Sequence, residues 1–70
     1  MVSVAHLIRA LQRGGFLVHD TSGSHYVLKH PDHPALRVVV LYHVGDVKRG
    51  TLRNILRQAN LTVDDLIALL

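Results

Sequence analysis

The chain contains no cysteine, no tryptophan and no glutamate, and its aromatic side chains are one phenylalanine and two tyrosines among 70 residues. Without cysteine there is neither a disulfide framework nor a thiolate for a zinc site, so stability must come from burial. A domain of this length buries only ~60% of the surface its unfolded chain exposes. That leaves room for a single core, and residues 1–70 are read as one domain. Asp20, Asp32 and Asp46 stand isolated among turn-forming or basic neighbours, so the paired carboxylates of glycosidase chemistry are unsupported. No apolar run exceeds that of residues 38–42, far short of the ~20 residues that span a bilayer. No basic N-terminal segment is followed by an apolar one, and a cytoplasmic protein with no membrane partner is expected.

Cations are present in excess. Eight lysines and arginines against five aspartates give a net charge of +3, before the six histidines are counted, and a polyanion is the natural partner of such a surface. Val4, Leu7, Ile8 and Leu11 recur at helical spacing behind a capping Ser3, and Gly14-Gly15 ends the run. His6 and Arg9 lie off that stripe and should face solvent. Three strand-like segments follow at residues 16–19, 24–30 and 36–43, separated by turns at Thr21-Ser22-Gly23 and Pro31-Asp32-His33-Pro34. Links this short imply an antiparallel meander. In the middle strand Tyr26, Leu28 and His30 share one face, which should pack on the helices, while His25, Val27 and Lys29 share the open one. The third strand is apolar on both faces, which suits coverage of one face by a partner or a second copy.

Leu52, Ile55, Leu56 and Ala59 then predict a second helix, with Thr51 as its N-cap and Asn60 closing it. Arg49, Arg53 and Arg57 follow one another at four-residue intervals and form a basic stripe on its other side. Thr62 caps a short terminal helix, with Asp64 and Asp65 in its first turn and Val63, Leu66, Ile67 and Leu70 expected inward. The resulting fold class is α+β: helix, three-stranded antiparallel sheet, helix and a short C-terminal helix, in the two layers of a double-stranded-RNA-binding domain.

Six histidines raise the question of a metal, with His30, His33 and His43 as the ligands to weigh. The sequence does not favour it, since cysteine is absent, His30 and His33 sit in a proline-containing turn, and no H-E-x-x-H pattern occurs. His6, His19 and His33 read as exposed polar residues. His25 follows Gly23-Ser24 at the start of a strand, on the open face with Lys29. An imidazole there can exchange a proton with an RNA 2′-hydroxyl or a leaving 5′-oxygen while a cation stabilises the phosphorane. Ser24 has no evident Ser-His-Asp partners, and a hydrolase triad is unsupported.

The segments Gly14-Gly15-Phe16, Gly23-Ser24-His25-Tyr26-Val27-Leu28-Lys29-His30-Pro31, the strand ending at His43, and Lys48-Arg49-Gly50-Thr51-Leu52-Arg53-Asn54-Ile55-Leu56-Arg57-Gln58-Ala59 occur in that order. Together they resemble the HicA toxins, the mRNA interferases of HicAB toxin–antitoxin modules, over nearly the whole chain. The resemblance implies a double-stranded-RNA-binding-like fold and cofactor-free, metal-independent cleavage of mRNA with His25 as the catalytic histidine. It also implies neutralisation by a HicB-like antitoxin covering that site. Lys29, Lys48, Arg49, Arg53 and Arg57 are then expected to hold RNA, with Ser24, His43 and Lys29 as candidate helpers of His25. Where the family commonly has proline two residues before the later histidine, this chain has Leu41, and where it commonly has glycine after Gln-Ala it has Asn60. The alternative function is a non-catalytic RNA-binding domain of the same fold. The expected assemblies are a homodimer through the third strand or a toxin–antitoxin hetero-oligomer.

Overall fold

The computed structural model describes residues 2–70. It comprises α1 (Val4–Arg13), β1 (Leu17–Ser22), β2 (His25–His30), β3 (His33–Leu41), α2 (Arg49–Ala59) and α3 (Val63–Leu69). The strands form one antiparallel sheet in the order β1-β2-β3, and the helices lie on one of its faces, as the α+β reading requires. α1 begins as expected: the Ser3 hydroxyl accepts the His6 amide at 3.1 Å, and Val4, Leu7, Ile8, Ala10 and Leu11 are buried. Arg9 is exposed and His6 half-buried. The helix ends at Gly14-Gly15, where Gly15 has φ +100° and a Cβ would collide with the His30 ring. Only glycine meets both conditions.

On the inner face of the sheet, Leu28, Val38 and Val40 join Phe16, Val47, Ile55, Leu56, Ala59, Leu66 and the α1 residues in one core, with Tyr26 partly buried against it. Among the described residues no polar or charged side chain is buried. The outer face carries three rows set by register: Leu17, Lys29 and Arg37; Asp20, Val27 and Val39; Ser22, His25 and Leu41.

Four details differ from the sequence reading. The first hairpin turn is Gly23-Ser24, and Thr21 and Ser22 belong to β1, because a two-residue loop with glycine first matches the strand twist. His33 and Pro34 lie in β3, leaving Pro31-Asp32 as the turn. The register shifts between Lys29 and His30, so Pro34 sits in an irregular stretch of an edge strand, where its missing N–H costs no ladder bond. α2 starts at Arg49 with Lys48, not Thr51, as N-cap, and no side chain caps it. Tertiary anchoring decides this start: Val47 is buried, its amide bonds the Val2 carbonyl at 2.9 Å, and Asp46 bridges to Ser3.

The fourth difference concerns α3. Thr62 and Asp65 form the expected reciprocal capping box, and the Thr62 amide and hydroxyl hold the Asp65 carboxyl below its usual range. Of the four residues expected inward, however, only Leu66 is buried, while Val63 is 61%, Ile67 60% and Leu70 45% exposed. A helix of seven residues covers one narrow stripe. Here that stripe is Leu66 with the half-buried Leu69, fixed to α1 by Arg13 Nη1 donating to the Leu69 carbonyl at 2.9 Å. Asn60 ends α2 in the left-handed conformation, φ 57°, which asparagine tolerates. Among the described residues no helix is long and apolar enough to cross a membrane.

Candidate functional site

The open face of the sheet brings the sequence-predicted residues His25 and Lys29 to one surface, both exposed. His25 is the first residue of β2 and lies between Ser22 and Leu41. Its backbone is held from two sides. The Ser24 carbonyl accepts the Tyr42 amide at 2.7 Å, tying the hairpin tip to the chain leaving β3. Beneath, the rings of Tyr26 and Tyr42 stack with centroids 5.2 Å apart. An exposed imidazole on a braced strand end is free to meet substrate without leaving a rigid frame. Leu41, where the family commonly has proline, is 53% exposed next to His25 and supplies an apolar wall to the site.

His43 lies outside β3, two residues beyond the partner of His25, and is exposed. Its Nδ1 is 3.2 Å from the Val44 carbonyl. A carbonyl only accepts, so Nδ1 donates in that contact and Nε2 is the nitrogen left to exchange a proton. His43 therefore offers a proton-exchanging group at the same end of the sheet as His25. Ser24 is exposed in the turn.

Lys29 stands four residues along β2 from His25 and directly opposite Arg37 of β3, which is also exposed. Sequence reasoning missed Arg37. Its parity with Val39 and Leu41 is the signal in the sequence, masked by the apolar run of the strand. On the β1 side of the same face, Asp20 occupies the middle row opposite Val27.

Arg49, Arg53 and Arg57 are exposed along α2 at the expected spacing, and Lys48 is exposed at its start. The stripe is on the flank turned toward α3, where Arg49 and Arg53 border a shallow apolar groove with Leu52, Leu56 and Val63. The opposite flank of α2 meets β3: Gln58 Oε1 accepts the Val39 amide at 3.0 Å and covers one donor of the sheet edge. The structure thus gathers His25, Lys29 and Arg37 on one face and sets the α2 arginines on a second surface.

His30 is a structural residue. Its Nε2 lies 3.0 Å from the Gly14 carbonyl and its Nδ1 accepts the Asp32 amide at 3.1 Å, while the ring meets Phe16 edge-on at 5.1 Å. Both nitrogens are thereby engaged by backbone, which fixes the Nε2–H tautomer. His33 lies against it at 4.9 Å, but His43 is beyond the far end of β3, so the three weighed as metal ligands do not converge. Among the described residues no group of three or more such side chains could hold a metal ion.

A family model described as the HicA toxin of bacterial toxin–antitoxin systems matches residues 4–61. No curated protein matches significantly. The matched stretch contains all three strands, α1 and α2, and every residue of the outer face named above.

Proposed function

Since the chain belongs to the HicA toxin family and is the toxin of a toxin–antitoxin pair, we propose that it is an endoribonuclease of mRNA in which His25 performs the acid–base chemistry. The observation that carries this reading is the placement of His25: exposed, braced at the end of β2, on an open sheet face that also presents Lys29 and Arg37. The nucleophile is the RNA's own 2′-hydroxyl. His25 takes its proton as the oxygen attacks the adjacent phosphorus, the P–O5′ bond breaks, and the 5′-oxygen leaves with a proton. The products are a 2′,3′-cyclic phosphate and a 5′-hydroxyl. His43, at the same end of the sheet as His25, is the candidate second group: as the imidazolium, with its Nδ1–H on the Val44 carbonyl, it delivers the leaving-group proton from Nε2. Nothing in this step needs a metal or cofactor, because nucleophile and electrophile are both in the substrate.

The α2 surface with Lys48, Arg49, Arg53 and Arg57 attracts the flanking RNA backbone without touching the reacting atoms. A family toxin implies an antitoxin. We take the partner to be HicB-like and to cover the His25 face, whose exposed Leu17 and Leu41 give a protein partner apolar purchase. The test is His25→Ala. General acid–base catalysis contributes about 10²–10⁴-fold, so the variant should lose cleavage by at least that lower factor while binding RNA and melting as the parent does. A variant keeping half the parental rate would remove His25 from the mechanism. Loss of RNA binding together with cleavage would favour the non-catalytic RNA-binding reading.

A further inference from the structure

We propose that Lys29 and Arg37 form one phosphate-holding subsite that grips the RNA backbone beyond the phosphates next to the cleaved bond, and so set the minimum length of a good substrate. This deepens the ribonuclease reading and rests on it for the position of the cleaved bond.

Lys29 and Arg37 are direct cross-strand partners on the outer face, both exposed. Like charges directly opposite one another destabilise a sheet, and the residue that completes their row is Leu17, which is 59% exposed and brings no opposite charge. Two cations so placed repel each other in the free protein, and an anion between them relieves the repulsion. A phosphate is an anion with oxygens for both side chains.

The distance to His25 then decides which phosphate. Four residues of antiparallel strand separate Lys29 from His25, a rise of ~13 Å. Side chains stand roughly perpendicular to the sheet, so the cationic pair is out of reach of a phosphate reacting at His25. That span exceeds the separation of neighbouring phosphates, and the pair meets the backbone further along the strand. Between the two ends lies the row of Asp20, Val27 and Val39. Its valines present an apolar surface for a nucleobase, and the Asp20 carboxylate repels phosphate from the β1 side. The backbone therefore runs over β2 and β3, from His25 to the Lys29–Arg37 pair.

The experiment uses oligonucleotides with a single ribose at the cleaved position and 2′-deoxy sugars elsewhere, trimmed one nucleotide at a time from either end. For the parent, KM should stay level while trimming spares the distant phosphate and rise about five- to tenfold when that phosphate is removed, on one side only, with kcat within about twofold. Arg37→Ala should raise KM for the long substrate by that factor and abolish the step, and Arg37→Lys should restore it. Relief of the like-charge pair should leave Arg37→Ala at least as resistant to heat as the parent. The same trimmed series made as uncleavable 2′-O-methyl RNA, read by fluorescence anisotropy, should show the step in affinity even if cleavage fails. Failure of the ribonuclease reading is thereby separated from failure of the subsite. A step that persists unchanged in Arg37→Ala, or a variant that loses heat resistance and affinity together, would overturn the proposal.

Discussion

At the scale of single residues, the six histidines divide by what their ring nitrogens touch. His30 has both nitrogens committed, to Gly14 and Asp32, and its ring fills the space that a side chain at Gly15 would need. It fastens the β2–β3 turn to the end of α1, and His30→Ala should cost about 1–3 kcal/mol by leaving those backbone groups unpaired and Phe16 uncovered. Gly15→Ala should be at least as damaging, because the φ of +100° and the contact with His30 both oppose it. Urea denaturation reads both, with His19→Ala, an exposed residue at the β1 irregularity, as the control expected to change stability little. If His30→Ala were as neutral as that control, the fastening role would be wrong. His25 is of the opposite kind, exposed and without a side-chain hydrogen bond among the described residues, which is what a group that must meet substrate requires. The sequence shows the parity that separates His25 from His30 on β2. It does not show the carbonyl of Gly14 arriving at Nε2, because that contact is made by backbone from another element.

At the scale of elements, local signals were legible where local chemistry decides. Ser3, Asn60 and the Thr62–Asp65 pair cap their helices as their side chains allow. The Thr51 expectation failed because burial of Val47 fixes where α2 begins, and that burial depends on Val2 across the molecule. Pro34 could join β3 only because the strand is at the sheet edge and its register shifts there. The pairing of Arg37 with Lys29 depends on that same shift, which no spacing along the chain announces. For α2, the flank bearing Arg49, Arg53 and Arg57 is separated from the His25 face by the flank that Gln58 ties to β3. Arginines that hold flanking RNA should influence affinity and its salt dependence, not the chemical step. Replacing Arg53 and Arg57 by alanine should flatten the slope of log K against log salt by roughly 1.4 for single-stranded RNA, and weaken binding to unrelated sequences alike. Cleavage should recover at high RNA concentration, whereas His25→Ala should not recover. An unchanged slope would make this flank a solvated surface, or one used by a protein partner along the Leu52–Val63 groove.

At the scale of the whole molecule, two layers divide the work. The helix layer and the inner sheet face supply the core, and the outer face is left bare of secondary structure with a histidine at one end and paired cations at the other. This open face is where the proposed RNA and antitoxin contacts meet. Because the substrate supplies the nucleophile, cleavage should persist in excess EDTA; a requirement restored by one divalent ion would contradict the metal-free step. The central claim, attack by the 2′-hydroxyl under acid–base catalysis by His25, is tested most directly by end-group analysis of one RNA incubated with the purified chain in EDTA. The expected ends are a 2′,3′-cyclic phosphate and a 5′-hydroxyl at the cut, with no cut where the cleaved ribose is replaced by 2′-deoxyribose and none by His25→Ala. Cleavage of the deoxy-substituted strand at the parental rate, or a 5′-phosphate on the product, would contradict it.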